Sequence, residues 1–301
     1  MGQLLQDVEF ALGRALFHAA NGALATVAGA REASIVVDGM RIPYVRCGKG
    51  PPLLLVHGFG DRKETWYLLL PRLSRHFSVI ALDLPGFGGS PEVAPDRISC
   101  KSQAKFLAAF LDALGLRHVH LCGQSMGGGI AARFAHDYAK RTLSLTLLSA
   151  AGPAGFHPQL ALEVEAGNNP LLLNTVQDFI KLLELTFAHR PPFPSIMFRY
   201  VASRWTHRPA AMRAYLDRMM YPAANEDVPR TVHPKPMPTL VIYGHHERVV
   251  HPDNSAIYLN GFPAATSLLL DVGHAPHIEA PGKVGKALIA HIKKAIEATS
   301  L

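Results

Sequence analysis

Residues 119–128 read VHLCGQSMGG. Val119–Cys122 is a short apolar run, Gly123-Gln124-Ser125-Met126-Gly127 interrupts it, and a helical pattern follows from Met126 to Ala139. A serine between a strand and a helix occupies a sharp turn, and the flanking glycines relieve the crowding which that turn creates. The helix behind it directs free N–H groups and the positive end of its dipole at the serine. G-x-S-x-G alone is a common pattern; its strand–turn–helix setting is what makes Ser125 a candidate nucleophile.

Outward from this turn, short apolar runs recur at Leu53–Val56, Val79–Leu82 and Leu143–Leu148, then at Thr239–Tyr243 and Ser267–Asp271. Helical patterns lie around Arg62–Ser74 and Ser99–Leu114, and a last one covers about 282–298. Such alternation predicts an α/β fold with a mostly parallel sheet covered by helices. Upstream, Ser34–Val37 and Arg41–Arg46 flank Asp38-Gly39, a dipeptide suited to a hairpin turn with positive φ at both positions. The alternation stops after Gly152. Residues 153–234 hold many prolines and nine aromatics from Phe156 to Tyr221 without a comparable strand, and so read as a helical cap inserted into a core of 31–152 and 235–301.

A serine hydroxyl needs a base, and the base needs an orienting carboxylate. Gly244-His245-His246-Glu247 follows one predicted strand and Gly273-His274 the next, so both loops fall at the carboxyl ends of strands, where ligand sites of parallel sheets form. Ser125, Glu247 and His274 are the expected triad. His57-Gly58-Phe59-Gly60 follows Leu53–Val56, and the Phe59 and Met126 N–H groups are the expected oxyanion donors.

The chain resembles the α/β-hydrolase superfamily over about residues 33–300. The resemblance rests on HGFG at 57–60, DLPGFGGS at 83–90, GQSMGG at 123–128, the acid loop at 244–247 and VGHAPHIEAP at 272–281. It implies an eight-stranded, mostly parallel sheet with helices on both faces and an inserted helical cap. AGPAGF at 151–156 and the cap position are similar to the monoacylglycerol lipase and lysophospholipase branch. One departure is Glu247, where the family usually has Asp; Asp253 and Asp271 are the substitutes. The implied reaction is hydrolysis of a carboxylic ester with an apolar acyl group, the acyl pocket being supplied by Phe179, Phe187, Phe193, Met197 and Phe198. The rivals are a carbon–carbon hydrolase of ring-cleavage products, whose usual Gly-Pro-Gly is replaced here by Gly60-Asp61, and a non-catalytic receptor.

Composition narrows the partners. The 301 residues are 49% hydrophobic and 18% charged with three cysteines, which excludes a disordered chain and a disulfide scaffold. Sixteen histidines include His245, His246, His251, His274 and His277 near the site, without metal-ligand spacing, so neither metal nor organic cofactor is expected. The net charge is +7, and between His189 and Met220 stand six arginines (Arg190, Arg199, Arg204, Arg208, Arg213, Arg218) against one acid, Asp217. They read as solvated helix faces, an anionic-lipid docking surface, or a substrate-anion site, in that order; nucleic acid is not expected. Residues 1–30 carry apolar positions at helical spacing. The readings, again in order, are a helix packed on the protein or a partner, a membrane-surface anchor, and a cleaved or spanning segment. Peripheral membrane association through residues 1–30 and the basic cap accompanies the second reading, with a cytoplasmic or membrane-associated location.

Overall fold

The computed structural model describes residues 2–189, 193–220 and 236–299. Its strands are β1 (Arg31–Val37), β2 (Met40–Cys47), β3 (Pro52–Val56), β4 (Ser78–Leu82), β5 (Val119–Gln124), β6 (Thr142–Leu148), β7 (Thr239–Gly244) and β8 (Ala265–Leu270). They form one sheet in the order β1-β2-β4-β3-β5-β6-β7-β8. The β1–β2 and β2–β4 pairs are antiparallel and all others parallel. Asp38 and Gly39 turn the first hairpin with φ of 49° and 77°, as that dipeptide predicts.

The central strands are apolar along their whole length because both faces are covered. Leu54, Val56 and Leu121 point into a core closed by α3 (Cys100–Ala113) and α4 (Met126–Asp137); Leu53, Leu55 and Cys122 point into a second core closed by the C-terminal helix, Pro281–Thr299. Lys283, Lys286, Lys293 and Lys294 stay on the wet side of that helix.

Between β6 and β7 come α5 (Pro158–Glu165), α6 (Val176–Thr186), α7 (Phe198–Thr206) and α8 (Pro209–Met220). Thr175 and Asp178 close a reciprocal capping box at the start of α6, satisfying donors the helix cannot. The remaining helices are α1 (Gly2–Ala28), α2 (Leu70–Leu73), α9 (Asp253–Gly261), α10 (Pro276–Glu279) and α11, the C-terminal helix.

The helix expected over Arg62–Ser74 is instead a 3-10 turn, Lys63–Trp66, followed by the single turn of α2. The Lys63 N–H donates to the Asp83 carboxylate at 2.7 Å, and Pro71 has no N–H to extend a helix through this stretch.

Helix α1 packs on the protein, the first of its expected readings. Its Ala28 end is buried in the second core, and its middle crosses α7. Phe10 and Phe17 meet Tyr200 edge-on at 5.6 and 5.4 Å, His18 Nε2 lies 2.8 Å from the Tyr200 hydroxyl, and Arg199 pairs with Glu9 at 3.0 Å. Gly13 is buried against the Ile196 carbonyl, where a Cβ would collide. Along α1, Val8, Phe10, Leu12, Leu16 and Val27 stay exposed. None of the described helices is long and apolar enough to cross a membrane.

Candidate active site

Ser125 stands between β5 and α4 with φ 51° and ψ −122°, a strained combination for a residue bearing a Cβ. The close packing around it depends on missing side chains: a Cβ on Gly123 would strike the Gly127 carbonyl, and one on Gly127 the Val56 and His57 carbonyls. Met126 is the first residue of α4, so its N–H has no intrahelical carbonyl to bind.

Glu247 lies three residues beyond β7, and His274 in the loop between β8 and α10. Both are buried. His274 Nδ1–H donates to the Glu247 carboxylate, 2.9 Å from each oxygen, while the Val249 and Val250 N–H groups reach Oε1 at 2.9 and 3.3 Å. Burial opposes ionisation of Glu247, but His274 and these hydrogen bonds outweigh it and hold the carboxyl below its ordinary range. The extra methylene of glutamate is therefore accommodated. The two substitute acids meet other histidines: Asp271 falls just past β8, exposed and paired with His246 at 2.8 Å, and Asp253 sits at the start of α9 beside His251.

The histidine loop is clamped on both sides. The His274 N–H donates to the Thr186 carbonyl at 2.7 Å, and its carbonyl accepts from the Gln124 amide at 3.1 Å. Glu279 accepts from Gly273 N–H at 2.6 Å with one oxygen and from Ala188 and His189 N–H at 2.9 and 3.1 Å with the other. One carboxylate thus ties the His274 loop to the end of α6.

His57 is fully buried. Leu84 N–H donates to its Nε2 at 3.0 Å, which leaves the proton on Nδ1, donated to the Gly58 carbonyl at 2.8 Å. Burial lowers its pKa, and it fixes the turn before Phe59 as expected. Asp83 is equally buried and accepts from Lys63 and Gly89 N–H. Burial pushes the Cys122 thiol well up, and Cys122 faces the second core. His277 is also buried, with Nε2 2.9 Å from the Thr65 hydroxyl and its pKa lowered to about 3 by burial and by His274.

Ser125, Met126, Phe59 and His274 line one cavity of about 320 Å³, near the lower end of the usual range of roughly 300–1,000 Å³ for ligand sites. Phe179, Phe187, Phe193 and Met197 line it as expected. Phe198 does not: it packs edge-on against Phe179 and Phe193 at 6.0 and 5.7 Å instead. Two contributors escaped the sequence reading. Phe17, Ala20, Asn21 and Leu24 of α1 form part of the wall, and so does Glu64; Arg204, one of the arginines singled out in the sequence, lines it beside Glu64. Periodicity signals that residues 1–30 form a helix, but nothing in it says what the helix touches.

Three of the clustered arginines meet acids from elsewhere in the chain: Arg199 with Glu9, Arg204 with Glu64 at 2.8 Å, and Arg208 with Glu92 at 3.4 Å. The cluster is thus less cationic than its composition implies. Arg190 lies outside the described residues.

The family model for the alpha/beta hydrolase fold matches residues 51–281. Lipase 3 of Moraxella sp. (strain TA144) is 31% identical over 235 residues, 77% of this chain and 74% of that protein. A monoacylglycerol lipase of Bos taurus is 25% identical over 279 residues, 83% of this chain and 82% of its own. The crystal structure of a membrane phospholipase A, described as a bacterial virulence factor, has a TM-score of 0.84 at 29% identity, covering 98% of this chain and 99% of that one. The chain belongs to the α/β-hydrolase family, and with lipases among its relatives it is a carboxylic ester hydrolase.

Proposed function

We propose that the chain hydrolyses esters of apolar acyl groups through an acyl-enzyme on Ser125. The observation that carries this reading is His274 Nδ1 at 2.9 Å from both Glu247 oxygens, in a loop whose histidine shares a mainly apolar-walled cavity with Ser125. In the mechanism, His274 Nε2 takes the Ser125 proton as Oγ attacks the ester carbonyl, and Glu247 stabilises the imidazolium. The tetrahedral oxyanion is held by the Phe59 and Met126 N–H groups. His274 then gives the proton to the leaving alcohol, and a water repeats the sequence to release the acid. Phe179, Phe187, Phe193 and Met197 receive the acyl chain.

The test is hydrolysis of p-nitrophenyl esters of several chain lengths, with fluorophosphonate labelling. The expected result is labelling of Ser125 and a fall in kcat of about 10⁴-fold or more in Ser125→Ala. Activity that survives this substitution, or an unlabelled Ser125 in folded protein, overturns the reading and favours a receptor.

A second reading concerns where the enzyme works. The exposed Val8, Leu12, Leu16 and Val27 on α1 support peripheral docking on a lipid surface through residues 1–30. Because Arg199, Arg204 and Arg208 are paired, the apolar stripe dominates over the basic cap. Flotation with liposomes is then expected to succeed with neutral and anionic lipid alike; absence of binding to both ends this reading.

A further inference from the structure

Six ionisable side chains gather beside the oxyanion turn: Asp61, Arg62, Lys63 and Glu64 from the segment after β3, Asp83 after β4, and Arg204 on α7. Three acids face three bases. Nearly all of their hydrogen bonds are made within the group or to the backbone. Lys63 pairs with Asp83 at 3.4 Å and Glu64 at 3.7 Å, Arg62 Nη2 donates to the Arg204 carbonyl at 2.6 Å, and Arg204 Nη2 donates to Glu64 Oε1 at 2.8 Å. The Arg204–Glu64 bridge is left half-used. Glu64 Oε2 and Arg204 Nη1 are buried and have no hydrogen-bond partner among the described residues.

Both residues line the cavity that holds Ser125 and His274, with their side chains 14% and 15% exposed. The guanidinium is held in place by the Phe17 ring of α1, 4.7 Å from its carbon. Glu64 is ionised here: burial works against the charge, but Lys63 and Arg204 outweigh it and keep the carboxyl below its ordinary range. The orphaned atoms are therefore one N–H donor and one carboxylate acceptor on a single bridge, and unmatched groups of this kind reward a ligand that supplies their partners.

An acyl chain has nothing to offer them. From this we infer that Glu64 and Arg204 form the alcohol-side subsite of the ester and select a neutral, hydroxylated leaving group, glycerol being the smallest that fits. A hydroxyl donates to Glu64 Oε2 and accepts from Arg204 Nη1, and a neighbouring hydroxyl lets one diol serve both atoms. A phosphorylated head group is disfavoured, because the second site of the bridge is itself an anion and the surrounding charges cancel. The inference rests on the ester-hydrolase reading and adds the chemistry of the alcohol to it. Both orphaned atoms are covered in the unliganded cavity, so the bridge turns slightly as the hydroxyl enters.

The experiment compares three substrates of one acyl chain: the 1-monoacylglycerol, the methyl ester and the lysophosphatidylcholine. In the wild type, kcat/KM is expected to be at least about 10-fold higher for the monoacylglycerol than for either other ester. In Glu64→Gln and Arg204→Gln that ratio collapses, the monoacylglycerol losing about 10-fold more than the methyl ester. Parallel loss on all three substrates, or a wild-type preference for the lysophospholipid, overturns the proposal. A measurement on the unchanged protein guards against misfolded variants: protection of Ser125 from a fluorophosphonate by a 1-alkylglycerol ether against an alkyl phosphocholine of equal chain length. Stronger protection by the glycerol ether supports the subsite, and equal or weaker protection overturns it. Failure of the ester reading itself is distinguishable, because then the methyl ester is not cleaved and Ser125 is not labelled.

Discussion

The floor and the roof of the cavity are built by different means. On the floor, Ser125, Glu247 and His274 sit on turns at the carboxyl ends of β5, β7 and β8, and each is fixed through main-chain geometry: a positive φ, two N–H groups on a carboxylate, a loop amide on the Thr186 carbonyl. The roof, α1 with α6 and α7, is held mostly by side chains, as where Phe10 and Phe17 meet Tyr200. Backbone-set geometry tolerates little change and leaves a short, ordered motif. Side-chain packing accepts many solutions and leaves none. In the proposed mechanism the catalytic chemistry is carried by the rigid floor, and the choice of substrate by the adaptable roof.

This contrast breaks first at the acid. Glu247→Gln leaves the shape and removes the charge that orients His274, so kcat is expected to fall by about 10³–10⁴-fold, measured on a short p-nitrophenyl ester. Recovery of most of that activity in Glu247→Asp would show that the loop adapts to the shorter acid; no recovery would show that it is built around glutamate.

The link between the two regions comes next. Glu279 joins the Gly273 amide to the cap amides at 188 and 189, and Glu279→Gln turns one acceptor into a donor facing N–H groups. A loss of about 10-fold in kcat is expected. An unchanged kcat would mean that floor and roof are independent.

At the roof itself the effects are smaller. Gly13→Leu forces α1 away from Ile196, and KM for long-chain esters is expected to rise about 3- to 10-fold while short-chain turnover barely moves. Equal damage to short and long substrates would contradict the division of labour.

A separate effect is on stability rather than on rate. Because His277 is held neutral down to about pH 3 against an ordinary 6.5, the unfolded chain binds a proton that the folded chain refuses between those values. Stability therefore falls as pH drops below 6.5. By pH 5 this one group costs about 2 kcal/mol, or ~4 °C in Tm. Thermal melts of wild type and His277→Asn at pH 7 and 5 check it, the variant being expected to lose less.

The same division explains what could be read from residues alone. The sheet was legible because apolar runs such as Leu53–Val56 must be buried on both faces, and the Ser125 turn because its flanking glycines leave few alternatives. The contact of Glu247 with His274 was readable by position despite the longer side chain. The 3-10 turn at Lys63–Trp66 was hidden by apolar spacing that suits a helix equally well, since Asp83, the carboxylate that captures its amide, lies 20 residues away. The pairing of Arg204 with Glu64 spans 140 residues, and no local pattern encodes it.

Helix α1 precedes in the chain the residues it leans on, and is placed late. It leaves the ribosome well before Ile196, Arg199 and Tyr200, the residues it leans on, and contacts so distant in sequence form only after the intervening chain has been ordered. The cavity therefore acquires this wall only after the chain that follows it has folded. Through that interval Phe17 and Leu24, which line the finished cavity, remain uncovered.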